Sequence, residues 1–143
     1  MSLVHRHLRA GWWGLAVFVL LGAVLELMHA IKSPVFVDAG RETTRLLLRL
    51  AHAHGTLLAL VNIAYALTVR AHPSASSRTT SAALLAALVL LPAGFFLGGV
   101  YAHAGDPGLG VILVPVGALA IVIGAALVAR ASGRPSGRGD DDE

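Results

Sequence analysis

The sequence predicts an all-α, polytopic membrane protein with four transmembrane helices in an up-down-up-down bundle. Three observations carry that expectation. Charged residues occupy 13% of the 143 positions against 56% apolar, with mean hydropathy +0.75, whereas a soluble domain carries about 25% charged residues. Four windows hold no Lys, Arg, Asp or Glu: 10–25, 50–69, 79–105 and 107–129, of 16, 20, 27 and 23 residues. Crossing the hydrocarbon core takes about 20 residues in a helix, with a range of roughly 17–25. Finally, the 11 Lys and Arg flank these windows and form no patch. The net charge of +3 and pI near 10.2 therefore suit a membrane surface and not a nucleic acid.

The first window is long enough only if Glu26 and His29 are carried inside the helix, giving a span of about 12–31. Trp12 and Trp13 then stand at its start, at the interfacial level that favours indoles. A signal peptide with Arg6 and Arg9 as its basic region is the rival reading. Its apolar core would exceed the usual ~7–15 residues, and Glu26 would fall near the cleavage point, so an uncleaved helix is preferred. Ser33-Pro34 ends this helix, because the residue before a proline is pushed out of the helical region. Asp38 or a neighbour caps a short amphipathic turn carrying Arg41, Glu42 and Arg45, which leads into a second span over 46–69. The segment from His72 through Pro73 to Ser77 is a polar loop, after which Thr79, Thr80 or Ser81 caps a third span over 81–104. Asp106-Pro107 reads as an N-cap and a first-turn proline for the fourth span, 108–129. Residues 1–131 thus make one transmembrane domain. The tail 132–143, without apolar content, reads as disordered, and its Arg138-Gly139-Asp140 as chance.

Charge orients the bundle. Arg6, Arg9, Arg70, Arg78, Arg130, Arg134 and Arg138 fall on one side, and Lys32, Arg41, Arg45 and Arg49 on the other. Seven against four places both termini in the cytoplasm and the 33–45 loop outside, as expected for the bacterial plasma (inner) membrane. The partners this implies are the lipid bilayer and a homo-oligomer or larger membrane complex, with no nucleic acid.

Lipid supplies no hydrophobic drive between helices, so close packing depends on small residues. The second span has Ala51, Gly55 and Ala59 at four-residue steps, with Asn62 and Ala66 near the same stripe. The third has Gly94, Gly98 and Gly99 beside Pro92, and the fourth repeats glycine every seven residues at 110, 117 and 124. These read as packing seams.

Phe96-Leu97-Gly98-Gly99-Val100-Tyr101, a short turn, then Val114-Pro115-Val116-Gly117-Ala118 and Gly124 resemble the YgdD-like family of small four-helix bacterial membrane proteins. Gly22-Ala23 with His29-Ala30-Ile31-Lys32 is similar to the family's pattern in its first helix, and His54 with Leu57-Leu58 to that in its second. Leu27, Val114, Ala118 and Ala125 depart from the pattern, and Glu26, His52, His103 and Asp106 lie outside it. The resemblance implies the four-helix fold over about residues 12–129 and no reaction, since the family has no established activity.

The ionisable residues suggest a site. Glu26, His29, His52, His54, His103 and Asp106 all fall near one face of an alternating bundle, and intramembrane ionisable residues usually meet a partner or a cavity. His52 and His54 lie about 200° apart on a helix, so both cannot point squarely the same way. Histidines plus a carboxylate would suit zinc, copper or iron, and two facing histidines a b-type haem. The competing reading is a purely structural polar cluster, with Asp106 a helix cap and Glu26 paired to Arg45 or Arg49. His5, His7 and His72 read as solvent or headgroup residues. Zero cysteines exclude disulfides, iron–sulfur clusters and covalently attached c-type haem. No nucleophile–base pair or phosphate loop stands out, so the sequence leans away from an enzyme. Two classes remain: a structural or accessory subunit, and a metal- or haem-binding redox protein.

Overall fold

A computed structural model describes residues 2–133. It contains helices α1 (Leu3–Ala30), α2 (Pro34–Val37), α3 (Glu42–Ala71), α4 (Arg78–Val100) and α5 (Leu113–Ser132), with short 3-10 turns at Ala39–Arg41, Pro73–Ala75 and Leu109–Ile112. No strand occurs among the described residues. Four segments are long and apolar enough to cross a bilayer: α1, α3 with its leading turn, α4, and α5 with its leading turn. Of the tail 132–143, Ser132 closes α5 and residues 134–143 lie outside the described residues.

Several helix boundaries differ from the sequence reading, and three of them have a plain local reason. Helix α1 starts at Leu3, not near Trp12: the Ser2 hydroxyl accepts from the His5 amide at 3.3 Å, and His7 finds partners inside the bundle. Helix α4 is capped by Ser77, whose hydroxyl accepts from the Thr80 amide at 3.4 Å, so Thr80 and Ser81 are free to be buried. It ends at Val100 because Ala104 and Gly105, at φ 51° and 89°, make a tight reversal. That reversal is closed by two backbone hydrogen bonds of 2.9 Å between His103 and Asp106, the double positive φ being that of a type I′ turn. Asp106 is therefore no cap. Gly108 precedes the turn that leads into α5, and its amide donates to the Gly98 carbonyl at 2.8 Å. Helix α1 stops as expected before Pro34, through Lys32 at φ 51°.

Helices α3 and α4 form the centre, with α1 packed on α3 and α5 on α4. The seams follow the glycines. Along α4–α5, Leu97 fills the space over Gly110, Leu91 that over Gly117, and Leu84 that over Gly124, so the seven-residue glycine repeat is a row of sockets for an antiparallel row of leucines. Helices α1 and α3 interlock reciprocally: His52 of α3 lies over Gly22, and Phe18 of α1 over Gly55. Gly99 lets α4 approach Thr44 and Leu47 of α3. The predicted α3 stripe of Ala51, Gly55, Ala59, Asn62 and Ala66 is buried throughout. Leu58, Ala59, Ala87, Leu88 and Leu91 make the central core, and Tyr65, Val69, Ala75 and Leu84 a second cluster nearer the terminal end. Between α1 and α4 an apolar groove of about 600 Å³ stays open, with Trp13, Phe18, Pro92 and Phe96 on its walls.

Candidate functional site

The most buried polar constellation lies at the end of the bundle that holds the termini, not at the end nominated from the sequence. His7 is fully buried, and this corrects its reading as a headgroup residue. Helix α1 carries it on the same stripe as Gly11, Gly22 and Leu25, its other buried residues. Its Nδ1 lies 2.6 Å from Asn62 Oδ1 on α3, and its Nε2 lies 2.8 Å from Ser81 Oγ on α4. The amide of Asn62 donates from Nδ2 to the Leu58 carbonyl at 2.8 Å and to the Leu84 carbonyl at 3.4 Å. Oδ1 is thus left as the acceptor, Nδ1 of His7 carries the proton, and Nε2 accepts from the Ser81 hydroxyl.

Tyr65 extends the network to the α3–α4 connection. Its ring meets the His7 imidazole edge-on, with centroids 4.8 Å apart. Its hydroxyl donates to the Ala75 carbonyl at 3.2 Å or the Ser77 carbonyl at 3.4 Å, and accepts from the Ser77 amide at 3.3 Å. Three helices and one turn therefore meet through side-chain hydrogen bonds. Among the described residues, the one buried side-chain nitrogen or oxygen without a partner is Thr56 Oγ1, on α3 away from this network.

The six residues nominated from the sequence are spread around the opposite half. Glu26, His29, His103 and Asp106 are exposed, and His52 and His54 are half-buried. The His29 ring stands edge-on to Phe36 at 6.4 Å. His103 lines a small polar hollow with Gly40, Arg41 and Thr43. His52 donates from Nδ1 to the Phe18 carbonyl of α1 at 2.7 Å, while His54 donates from Nδ1 to the Leu50 carbonyl at 2.9 Å and lays its ring 4.9 Å from Phe95 of α4. The two histidines thus serve opposite neighbours, as their angular separation requires. Arg45 bonds to the Phe36 and Asp38 carbonyls at 2.9 and 2.8 Å, and Arg49 lies over the Phe36 ring at 5.9 Å. Among the described residues, no group of three or more His, Asp or Glu is placed to hold a metal ion.

Fold and site together define a multi-pass, all-helical membrane protein with a buried interhelical polar network. Comparison with family models, with curated proteins and with solved structures finds no match to this chain.

Proposed function

We propose that this protein is a structural or accessory subunit of the bacterial plasma membrane, related to the YgdD-like family and without a reaction of its own. One observation carries the reading. Both ring nitrogens of His7, and both ends of the Asn62 amide, are engaged within the protein, so the deepest polar groups join helices and none is left to meet a substrate. Polar side chains between transmembrane helices commonly act as such ties. The outer helices supply surface for a partner: Val17, Leu20, Val24 and Leu27 of α1, and Val116, Leu119, Val122 and Ile123 of α5, are exposed. Charge supports cytoplasmic termini. Among the described residues, the end where α1 begins and α5 finishes holds Arg6, Arg9, Arg70, Arg78 and Arg130, against Lys32, Arg41, Arg45 and Arg49 at the other.

Purified protein should show no stoichiometric haem band or bound metal. Cross-linkers placed on α1 or α5 in native membranes should give one reproducible adduct, to a second copy or to another protein. Stoichiometric metal or haem would replace this reading with the redox one. Absence of any adduct from either helix would remove the subunit role, and a C-terminal reporter active only outside would reverse the orientation.

A further inference from the structure

At the end of the bundle that carries the termini, a pocket of about 500 Å³ opens between the first turn of α1, the α3–α4 connection and the first turn of α4. Its walls are Leu3, Arg6, Ser76, Arg78, Ser81 and Ala82. We infer that this pocket binds the phosphate of an anionic phospholipid headgroup, with Arg6 and Arg78 as its charged clamps.

The argument starts from charge. Arg6 and Arg78 come from helices that are not sequence neighbours, yet they line one cavity. The residues that line the pocket include no carboxylate beside them. Two guanidiniums sharing a cavity repel one another, and an anion between them reverses the sign of that interaction. Guanidinium is also the side chain whose planar donor pairs match phosphate oxygens.

The neutral residues say where each part of the ligand goes. Ser76 is exposed and supplies a further hydroxyl donor. Ser81 is 2% exposed and its proton goes to His7 Nε2, so it forms the floor and is not one of the clamps. Leu3 and Ala82 give the pocket an apolar side, on helices that continue into the apolar body of the bundle. A phosphate seated on the arginines would thus direct its glycerol and acyl chains along α1 and α4. The volume lies within the range of about 300–1,000 Å³ typical of small-ligand sites, and basic pockets between transmembrane helices are a recognised way of holding anionic headgroups. Free phosphate shares the chemistry of the clamp but makes no use of the apolar side.

The test uses full-length protein in nanodiscs or detergent, with phosphatidylglycerol, phosphatidylcholine and inorganic phosphate as probes. Native mass spectrometry should show phosphatidylglycerol retained in preference to phosphatidylcholine. The double variant Arg6→Gln/Arg78→Gln should lose at least fivefold of the bound phosphatidylglycerol while melting like the parent, both side chains being exposed. The control Arg70→Gln/Arg130→Gln, at the same end but outside this pocket, should change retention less than twofold. Ser81→Ala should lower stability yet keep the lipid. Displacement of phosphatidylglycerol by millimolar inorganic phosphate would retain the clamp and assign it to free phosphate, overturning the lipid. Equal loss in the clamp and control pairs would reduce the site to diffuse surface charge and overturn the pocket, as would undiminished retention in the Arg6/Arg78 variant.

Discussion

His7 and Asn62, 55 residues apart in the chain, meet at 2.6 Å in a fully buried contact that joins α1 to α3. The contact is directional. The two backbone carbonyls that receive Asn62 Nδ2 set which way the amide faces, and this sets the imidazole tautomer and presents Nε2 to Ser81. One amide orientation thus fixes the relation of three helices.

This coupling is measurable. Asn62→Leu alone leaves His7 Nδ1–H buried without an acceptor, at a cost of about 1–3 kcal/mol. His7→Leu alone should leave Asn62 Oδ1 unpaired at a similar cost, besides depriving the Ser81 hydroxyl of its acceptor, whereas the double variant His7→Leu/Asn62→Leu removes both ends of the His7–Asn62 pair and keeps only the Ser81 loss. A double-mutant cycle from reversible unfolding in mixed micelles should therefore be non-additive by about 0.5–2 kcal/mol, the range set by interhelical polar pairs in membranes. Additive single effects would mean that the two groups do not depend on one another.

The spans and their seams were legible in the sequence because both rest on local chemistry: absence of charge over a helix length, and glycine or alanine at helical spacing. The polar network was not, for two reasons. A histidine five residues before Trp12 sits outside any uncharged window, so hydropathy placed it with the headgroups. Its depth depends on the Ser2 cap, which lengthens α1 toward the terminus. A signal did exist. Continuing the spacing of Gly22, Phe18 and Gly11 back along the helix lands on His7, in phase with the buried face. Conversely, the nominated residues converge in depth, since each lies near a charged boundary, but depth fixes only one coordinate. Rotation about each helix sends His52 to α1 and His54 to α4, and leaves His29 and His103 exposed.

Glycine substitutions should discriminate finely between seams. A Cβ at Gly117 would fall 2.6 Å from the backbone nitrogen of Leu91, which cannot step aside, whereas one at Gly98 would meet Val111 and Leu47 at 3.4–3.5 Å, an ordinary contact. Gly117→Ala should destabilise the bundle by about 1–3 kcal/mol, the usual cost of overpacking, and Gly98→Ala by much less. Equal melting temperatures for these two variants in detergent would show that α4 and α5 are not in this register.

Tyr65→Phe tests the tie to the α3–α4 connection. Removing the hydroxyl deprives the Ser77 amide of its acceptor and frees the Ala75 carbonyl. Stability should fall by about 1 kcal/mol, the net worth of a typical hydrogen bond. Hydrogen exchange should quicken at the Ser77 amide and stay unchanged in the middle of α3. If exchange at Ser77 is the same in both proteins, the turn is held by something other than Tyr65.

The last prediction separates the histidines at the far end from one another. His52 fills the space above Gly22 and donates to a carbonyl of α1, so His52→Ala removes both packing and a hydrogen bond. A loss of roughly 2–4 kcal/mol is expected from cavity formation together with the lost bond. His29 and His103 are exposed and belong to separate segments, and substitutions at such positions usually stay within about 0.5 kcal/mol. The double variant His29→Ala/His103→Ala should therefore melt within a degree or two of the parent, while His52→Ala melts well below it. A shared ligand would invert that order: two histidines bound to one metal or haem would lose the cofactor's contribution when both are replaced. A large drop in the His29/His103 variant, accompanied by release of stoichiometric metal or haem, would put a working site at this end of the bundle and replace the structural reading with the redox one.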